Sequence, residues 1–266
     1  MNRLLRDAAP ISGAAWAAVD DEARRALRHF LAARRFVDFS GPRGFDLASI
    51  PVGRLGSTGA WLGEGVDVAL RESQPVVETS VDLTLRRAGL ETIERGGEPD
   101  LEPVLEAARR AALAEDRAVF QGIDERDLPG IVPASPHEPI GIGDDYTQYP
   151  TLVTRAVEQL RRAGVGGPYG IVLGPRCHAG VLETTERGYP VIEHLKLVLD
   201  GPIVPADTVS GAVVLSARGG DYELVSGVDF EIGYRSHDAE TVTLFLRETF
   251  AFRVLEPAAA VALVHP

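Results

Sequence analysis

The chain has 266 residues, 45% of them hydrophobic and 25% charged, which is enough for one large domain or two ordinary ones with a real core. Its formal net charge of -12 argues against a nucleic-acid partner, because neutralising phosphates needs a basic face and the arginines here are scattered among more numerous carboxylates. A single cysteine, Cys177, excludes an intrachain disulfide framework and a cysteine-rich metal site. No uninterrupted apolar run approaches the roughly 20 residues of a membrane span.

The start Met1-Asn2-Arg3-Leu4-Leu5-Arg6-Asp7 lacks the apolar region of a signal peptide, so a cytoplasmic protein is expected. Ser12 then caps a predicted helix in which Trp16, Val19, Ala23, Leu27 and Phe30 recur at three- and four-residue steps, with Asp20–Arg24 and Asp21–Arg25 pairs on its exposed side. Gly41-Pro42-Arg43-Gly44 stops regular structure. Between Ile50 and Pro75, Gly53, Gly56, Gly59, Gly63 and Gly65 are mixed with Val52, Leu55, Trp61, Leu62, Val66, Val68 and Leu70. That mixture reads as a long twisted hairpin or arm, whose apolar residues need cover from a neighbouring subunit.

A strand-like stretch from Val76 to Leu85 follows, and Asp100 and Pro103 open a long helix with the stripe Leu101, Leu105, Ala108, Ala112, Glu115 and Val119. From Asp100 to Gln121 it spans about 33 Å at roughly 1.5 Å per residue. Prolines and glycines from Pro129 to Pro150 mark a boundary. Beyond it a helix (Leu152, Ala156, Leu160) ends at Gly164 before the strand Tyr169-Gly170-Ile171-Val172-Leu173, so an α/β subdomain is expected from near residue 130 to near residue 225.

The last third is mostly β. Ala212 to Ser216, the turn Arg218-Gly219-Gly220-Asp221 and Tyr222 to Val225 read as a hairpin, and Val228, Phe230, Ile232 and Tyr234 alternate with polar or small residues. From Thr241 to Val254 the period of two is broken only by Glu248, over more than twice the usual strand length of about five or six residues.

Catalytic patterns are sparse. Cys177-His178 is the only adjacent nucleophile–base pair, and sequence neighbours point in different directions, so a helix start after Pro175 is the simpler reading. His178, His194 and His237 fall in no metal-ligand pattern. Gly166-Gly167-Pro168-Tyr169 precedes a strand, unlike a phosphate loop.

Taken together, the order of elements resembles a tailed-phage major capsid subunit, and the local sequence is more similar still to the encapsulins, bacterial nanocompartment shell proteins. The resemblance is collinear over essentially the whole chain. It is carried by Ala9-Pro10, Arg34-Arg35-Phe36-Val37-Asp38, Gly41-Pro42, Ile93-Glu94-Arg95-Gly96, Glu115-Asp116 with Phe120-Gln121-Gly122, Gly167-Pro168-Tyr169, Gly188-Tyr189-Pro190, Arg218-Gly219-Gly220-Asp221, Ile232-Gly233-Tyr234 and Glu248-Thr249-Phe250.

The resemblance implies an α+β fold of five parts. An N-terminal helix and the start of a plate-like P-domain occupy residues 1–41, an extended E-loop arm 42–76, the P-domain with its spine helix 77–129, an inserted α/β A-domain 130–225, and closing P-domain strands 226–266. It also implies a non-enzymatic subunit that assembles with itself into an icosahedral shell, about sixty copies in the smallest version. That shell would enclose a cargo enzyme, such as a dye-decolorising-type peroxidase or a ferritin-like protein, through the enzyme's C-terminal peptide.

By the same resemblance, the peptide groove would draw on Leu27, Phe30, Leu31, Arg34, Asp38, Phe230, Ile232 and Tyr234, and Thr184-Thr185-Glu186-Arg187-Gly188-Tyr189 would ring a fivefold pore. Leu85-Arg86-Arg87 stands where some encapsulins place a flavin-binding aromatic residue, so no cofactor is expected. Two other readings stay open from sequence: a phage or prophage capsid protein, and a hydrolase using Cys177 and His178.

Overall fold

A computed structural model describes residues 3–59, 62–123 and 128–265. Its first helix, α1 (Gly13–Phe30), starts where it does because the Ser12 hydroxyl accepts a hydrogen bond from Ala15 N at 3.2 Å, filling one of the donors that a helix start leaves bare. Ala15, Trp16, Val19, Ala23, Ala26 and Leu27 form its buried face. The ion pairs differ from those expected: Arg24 reaches back to Asp21 and Arg25 to Glu22, while Asp20 turns to Arg6.

After a short turn at Ala33–Arg35 come β1 (Asp38–Ser40), β2 (Ser49–Ser57), β3 (Ala69–Pro75), β4 (Val77–Arg86), α2 (Arg87–Glu94) and the spine helix α3 (Glu102–Phe120). Short pieces follow: β5 (Gly122–Ile123), β6 (Leu128–Pro129), α4 (Ile131–Ala134) and β7 (Ile140–Gly141). Next are α5 (Tyr149–Arg162), β8 (Tyr169–Leu173), α6 (Pro175–Glu183), β9 (Thr185–Glu186), β10 (Tyr189–Pro190), α7 (Val191–Val198), β11 (Ile203–Pro205) and β12 (Ala212–Ser216). The chain closes with β13 (Tyr222–His237), β14 (Thr241–Val254) and β15 (Ala260–Val264).

Two sheets organise these elements. A four-stranded sheet runs β1-β13-β14-β4, and a five-stranded sheet runs β11-β8-β12-β15-β7. The ribbon strands β13 and β14, of 16 and 14 residues, are long because they serve two apolar cores. Val242, Leu244 and Leu246 pack with α1 and α3, whereas Phe250 and Phe252 pack with the core of the five-stranded sheet. The spine helix is divided in the same way: Val104, Ala107, Ala108, Ala111 and Ala112 belong to the first core, and Val119 and Phe120 to the second. Its run of alanines leaves room for α1 to lie close against it.

Three expectations are corrected. The segments Ala212 to Ser216 and Tyr222 to Val225 do not pair: β12 lies between β8 and β15, while β13 lies between β1 and β14. Arg218 to Asp221 is therefore a corner between sheets, held by the Arg218–Asp221 ion pair and by Leu255 N and Glu256 N donating to the Asp221 carbonyl. A glycine turn between two apolar runs looks the same in a hairpin and in a corner.

Residues 226–266 do not all close the plate-like part, because β15 joins the five-stranded sheet between β12 and β7. Ala260 to Leu263 are buried without alternation, as a strand covered on both faces requires. The alternation through Phe230 is also interrupted, by register shifts between Val228 and Glu231.

The arm is the β2–β3 ribbon, and Trp61 lies outside the described residues. Leu55 (69% exposed), Leu62 (74%) and Leu70 (64%) stand largely exposed on it. Among the described residues, no helix is long and apolar enough to cross a membrane.

Phe250 is 1% exposed and belongs to the second core. Phe250→Ala is expected to destabilise the fold by about 3–5 kcal/mol, read as a lower denaturation midpoint.

Candidate functional site

A cleft of about 650 Å³ opens between α1 and the ribbon. Helical spacing puts Asp20, Ala23, Arg24, Leu27 and Arg28 along one wall, Leu31 and Arg34 follow, and Asp229, Phe230, Glu231, Ile232 and Leu246 form the other side. The N-terminal segment closes one end. Arg6 makes a two-pronged bond to Asp20 at 2.7 and 2.6 Å, donates to the Ile232 carbonyl at 2.8 Å, and lies over the Trp16 ring.

The bulge in β13 shapes the floor. Phe230 has φ of 34°, in the left-handed region that non-glycine residues rarely adopt, and the register shift beside it re-aims the side chain toward the cleft. The Arg34 guanidinium lies 5.1 Å from the Phe230 ring centroid and 4.3 Å from that of Phe39. Aromatic rings thus cover the cation where it meets the groove.

Behind the groove, Arg34 enters a buried carboxylate cluster. Glu115 binds its Nε and Nη2, with the shortest contact at 2.5 Å, Glu248 binds Nη2 at 2.9 Å, and Asp229 binds Nη1 at 2.9 Å. Glu115 and Glu248 are fully buried. Burial works against the Arg34 charge, but these carboxylates hold the guanidinium above its usual pKa. Beside them, Asp116 accepts the N–H groups of Ala32 and Ala33 at 3.0 and 2.9 Å, pinning the turn that carries Arg34. Burial pushes the Asp116 carboxyl up to about 7 despite those two bonds.

Of the eight groove residues expected from sequence, Leu27, Leu31, Arg34, Phe230 and Ile232 line the cleft. Phe30, Asp38 and Tyr234 do not. Phe30 packs against the first core under Arg109. Asp38 caps the corner at Gly220, because β1 pairs with the far end of β13 at Glu223. Tyr234 bonds His237 through its hydroxyl and Leu4 through its backbone N–H. Sequence reasoning missed Leu4, Arg6, Asp20, Arg24 and Arg28; the helical period running through Leu27 was the signal for the last three.

The expected pore loop is a tight hairpin. In β9–β10, Arg187 and Gly188 both have positive φ, as a two-residue turn of this hand demands. Glu186 lies 3.4 Å from His194 Nδ1, and the Tyr189 ring stacks on His194. Arg187, Gly188 and Tyr189 are exposed at the tip, and Thr184 and Thr185 lead into it.

The Cys177-His178 pair does not form a nucleophile and its base. Cys177 is wholly buried, accepts a hydrogen bond from the Tyr149 hydroxyl at 3.1 Å, and has His265 Nε2, not His178, at 3.4 Å. Burial raises the thiol pKa, which disfavours the thiolate. Among the described residues, no group of three or more His, Cys, Asp or Glu is arranged to hold a metal ion.

The family model Linocin_M18, described as encapsulating protein for peroxidase, matches residues 1–251. This chain belongs to the encapsulin family. Among its relatives, the type 1 encapsulin shell protein of Rhodospirillum rubrum is 46% identical over 270 residues, covering 99% of this chain and 96% of the relative. That of Mycobacterium tuberculosis is 42% identical over the full length of both.

Solved structures place the encapsulin fold among tailed-phage capsids. The virus-like particle of Pyrococcus furiosus aligns with a TM-score of 0.66 at 15% identity, covering 94% of this chain and 99% of that one. The capsid of Myoviridae phage XM1 aligns at 0.57 and 12%, covering 88% and 90%. The fold is that of a tailed-phage major capsid subunit.

Removing the cation of the encapsulin cluster strands its buried carboxylates. Arg34→Met is expected to cost about 3–5 kcal/mol, and Arg34→Lys to recover only part of it, because an ammonium cannot reproduce the two-pronged bond to Glu115; thermal unfolding reads both.

Asp116 binds a proton more readily in the folded chain (about 7) than at its ordinary value of 3.8, so its contribution to stability is present at low pH and is lost as pH rises toward 7. Between pH of about 4 and 7 the stability difference should therefore move in favour of Asp116→Asn by up to about 4 kcal/mol, measured by chemical denaturation of variant and wild type side by side.

Proposed function

We propose that this chain is a shell subunit that assembles with copies of itself into a closed icosahedral compartment in the cytoplasm. The smallest closed shell takes about sixty equivalent copies. Its groove binds a short C-terminal peptide on an enclosed enzyme, either a dye-decolorising-type peroxidase or a ferritin-like protein. The subunit holds and sorts without doing chemistry of its own.

The observation that carries this reading is the groove itself: an open cleft with Leu27, Leu31, Phe230 and Ile232 as apolar contacts, and with the ion pairs Arg6–Asp20, Arg34–Asp229 and Arg247–Glu231 along its rim. Apolar pockets take anchor side chains, and a polar rim fixes register, which is what recognition of a short peptide needs. The family description, which names encapsulation of a peroxidase, favours the same class of cargo.

Two further features support assembly. The β2–β3 arm exposes Leu55, Leu62 and Leu70, which a neighbouring copy would cover. The β9–β10 hairpin presents Glu186 and Arg187 together, so a fivefold ring of such tips would carry mixed charge and select by size. The net charge of -12 does not favour a packaged nucleic acid.

Size-exclusion chromatography with light scattering, followed by negative-stain imaging, tests assembly: hollow spheres of uniform diameter in the megadalton range are expected, and a folded monomer or dimer would sink the proposal. Leu31→Asp puts a charge into the groove from a half-buried position. Shells of that variant, expressed in the native host, are expected to form normally but retain little of the protein that wild-type shells carry, as measured by mass spectrometry of purified particles.

A further inference from the structure

Two glutamates meet on one guanidinium nitrogen. Arg34 Nη2 donates to Glu115 Oε2 at 2.5 Å and to Glu248 Oε1 at 2.9 Å, so the two carboxyl groups are neighbours, and both are closed off from water. Glu115 commits both oxygens to Arg34. Glu248 commits one, and its Oε2 is buried with no hydrogen-bond partner among the described residues.

The charged groups facing the pair come from three elements besides β14. They are Arg34 on the turn after α1, Asp229 on β13, and Asp116 beside Glu115 on α3. Asp229 is 34% exposed and keeps solvent contact, and Asp116 has its own backbone donors. Glu115 and Glu248 are left sharing one cation in a dry site. Two like charges at such close range do not both ionise at ordinary pH, and an ionised Glu248 would also keep a bare buried oxygen. A proton on that oxygen removes both penalties, since it cancels one charge and makes a donor beside Glu115.

We infer that, of these two carboxyl groups, Glu248 carries a proton in the folded subunit at neutral pH. This proton locks α3 to β14 between the two cores, so that alkaline solution, by removing it, loosens the subunit. Burial and the Glu115 charge both hold the Glu248 carboxyl well above the usual carboxylate range. A group raised in this way contributes stability at low pH that is lost as pH rises through its folded value. The lock does not depend on what fills the groove.

Glu248→Gln tests it, because the amide keeps an oxygen for Arg34 and offers an N–H where the proton sits. On the assembled protein as purified, infrared spectra of the wild type at neutral pH should contain a protonated-carboxyl C=O component that Glu248→Gln removes; Asp116 absorbs in the same region and remains. In thermal unfolding from neutral to alkaline pH, the variant should melt at or above the wild type and lose part of the wild type's alkaline decline. Burial raises the Tyr149 and Tyr222 hydroxyls in both proteins alike, so their share of the alkaline decline cancels in the comparison.

Three results would overturn the inference. These are no carboxyl component assignable to Glu248, a variant that melts lower by the same margin at every pH, as loss of a charged Arg34–Glu248 pair would give, or a variant that fails to fold.

Discussion

The helix α3 and the strands β13 and β14 each run from one apolar core into the other, as does the chain from α1 into the turn after it, and ionisable residues sit at the crossings. These are Arg34 on the turn after α1, Glu115 with Asp116 on α3, and Glu248 on β14, set between Leu246 of one core and Phe250 of the other. Taking a charged group out of water costs several kcal/mol per ion, so none of these residues is tolerable in charged form alone. They are tolerable together because Arg34 bonds to all but Asp116, and Asp116 holds the turn that carries Arg34. The cluster thereby ties the spine helix, the ribbon and the turn after α1 together at one point.

The groove lies beside this cluster and shares Arg34 and Asp229 with it. Its floor depends on the bulge that turns Phe230 inward, and its end on Arg6, whose bonds to Asp20 and to the Ile232 carbonyl tie the N-terminal segment across α1 and β13. Arg34 belongs to both assemblies: its guanidinium lies close to the Phe39 and Phe230 rings, and its nitrogens serve the buried carboxylates.

Away from this centre the subunit keeps its surfaces simple. The β9–β10 hairpin is held to its domain by Glu186 and Tyr189 on His194, and the β2–β3 arm leaves its leucines bare. The exposed leucines of the arm and the buried charge cluster of the ribbon thus lie in different parts of the chain, one on the surface and one between the two cores.

By itself, the sequence determined the elements whose signals are local. The Ser12 cap and apolar stripe of α1, the alanine-rich spine helix, the helix start at Pro175 and the period of two from Thr241 to Val254 are all legible, because capping, helical spacing and strand alternation depend on residues near one another in the chain. Charges on apolar faces were legible as anomalies: Glu115 sits in the stripe of α3, and Glu248 breaks the alternation of β14.

Tertiary structure alone decided what those anomalies meet and which sheet each strand joins. Nothing local separates the corner at Arg218 to Asp221 from a hairpin, sends β15 into the five-stranded sheet, or places Asp38 at Gly220 rather than in the groove. Strand pairing and burial are settled by contacts between residues up to some two hundred positions apart, as Arg34 and Glu248 are, and a pattern read along the chain carries no record of them.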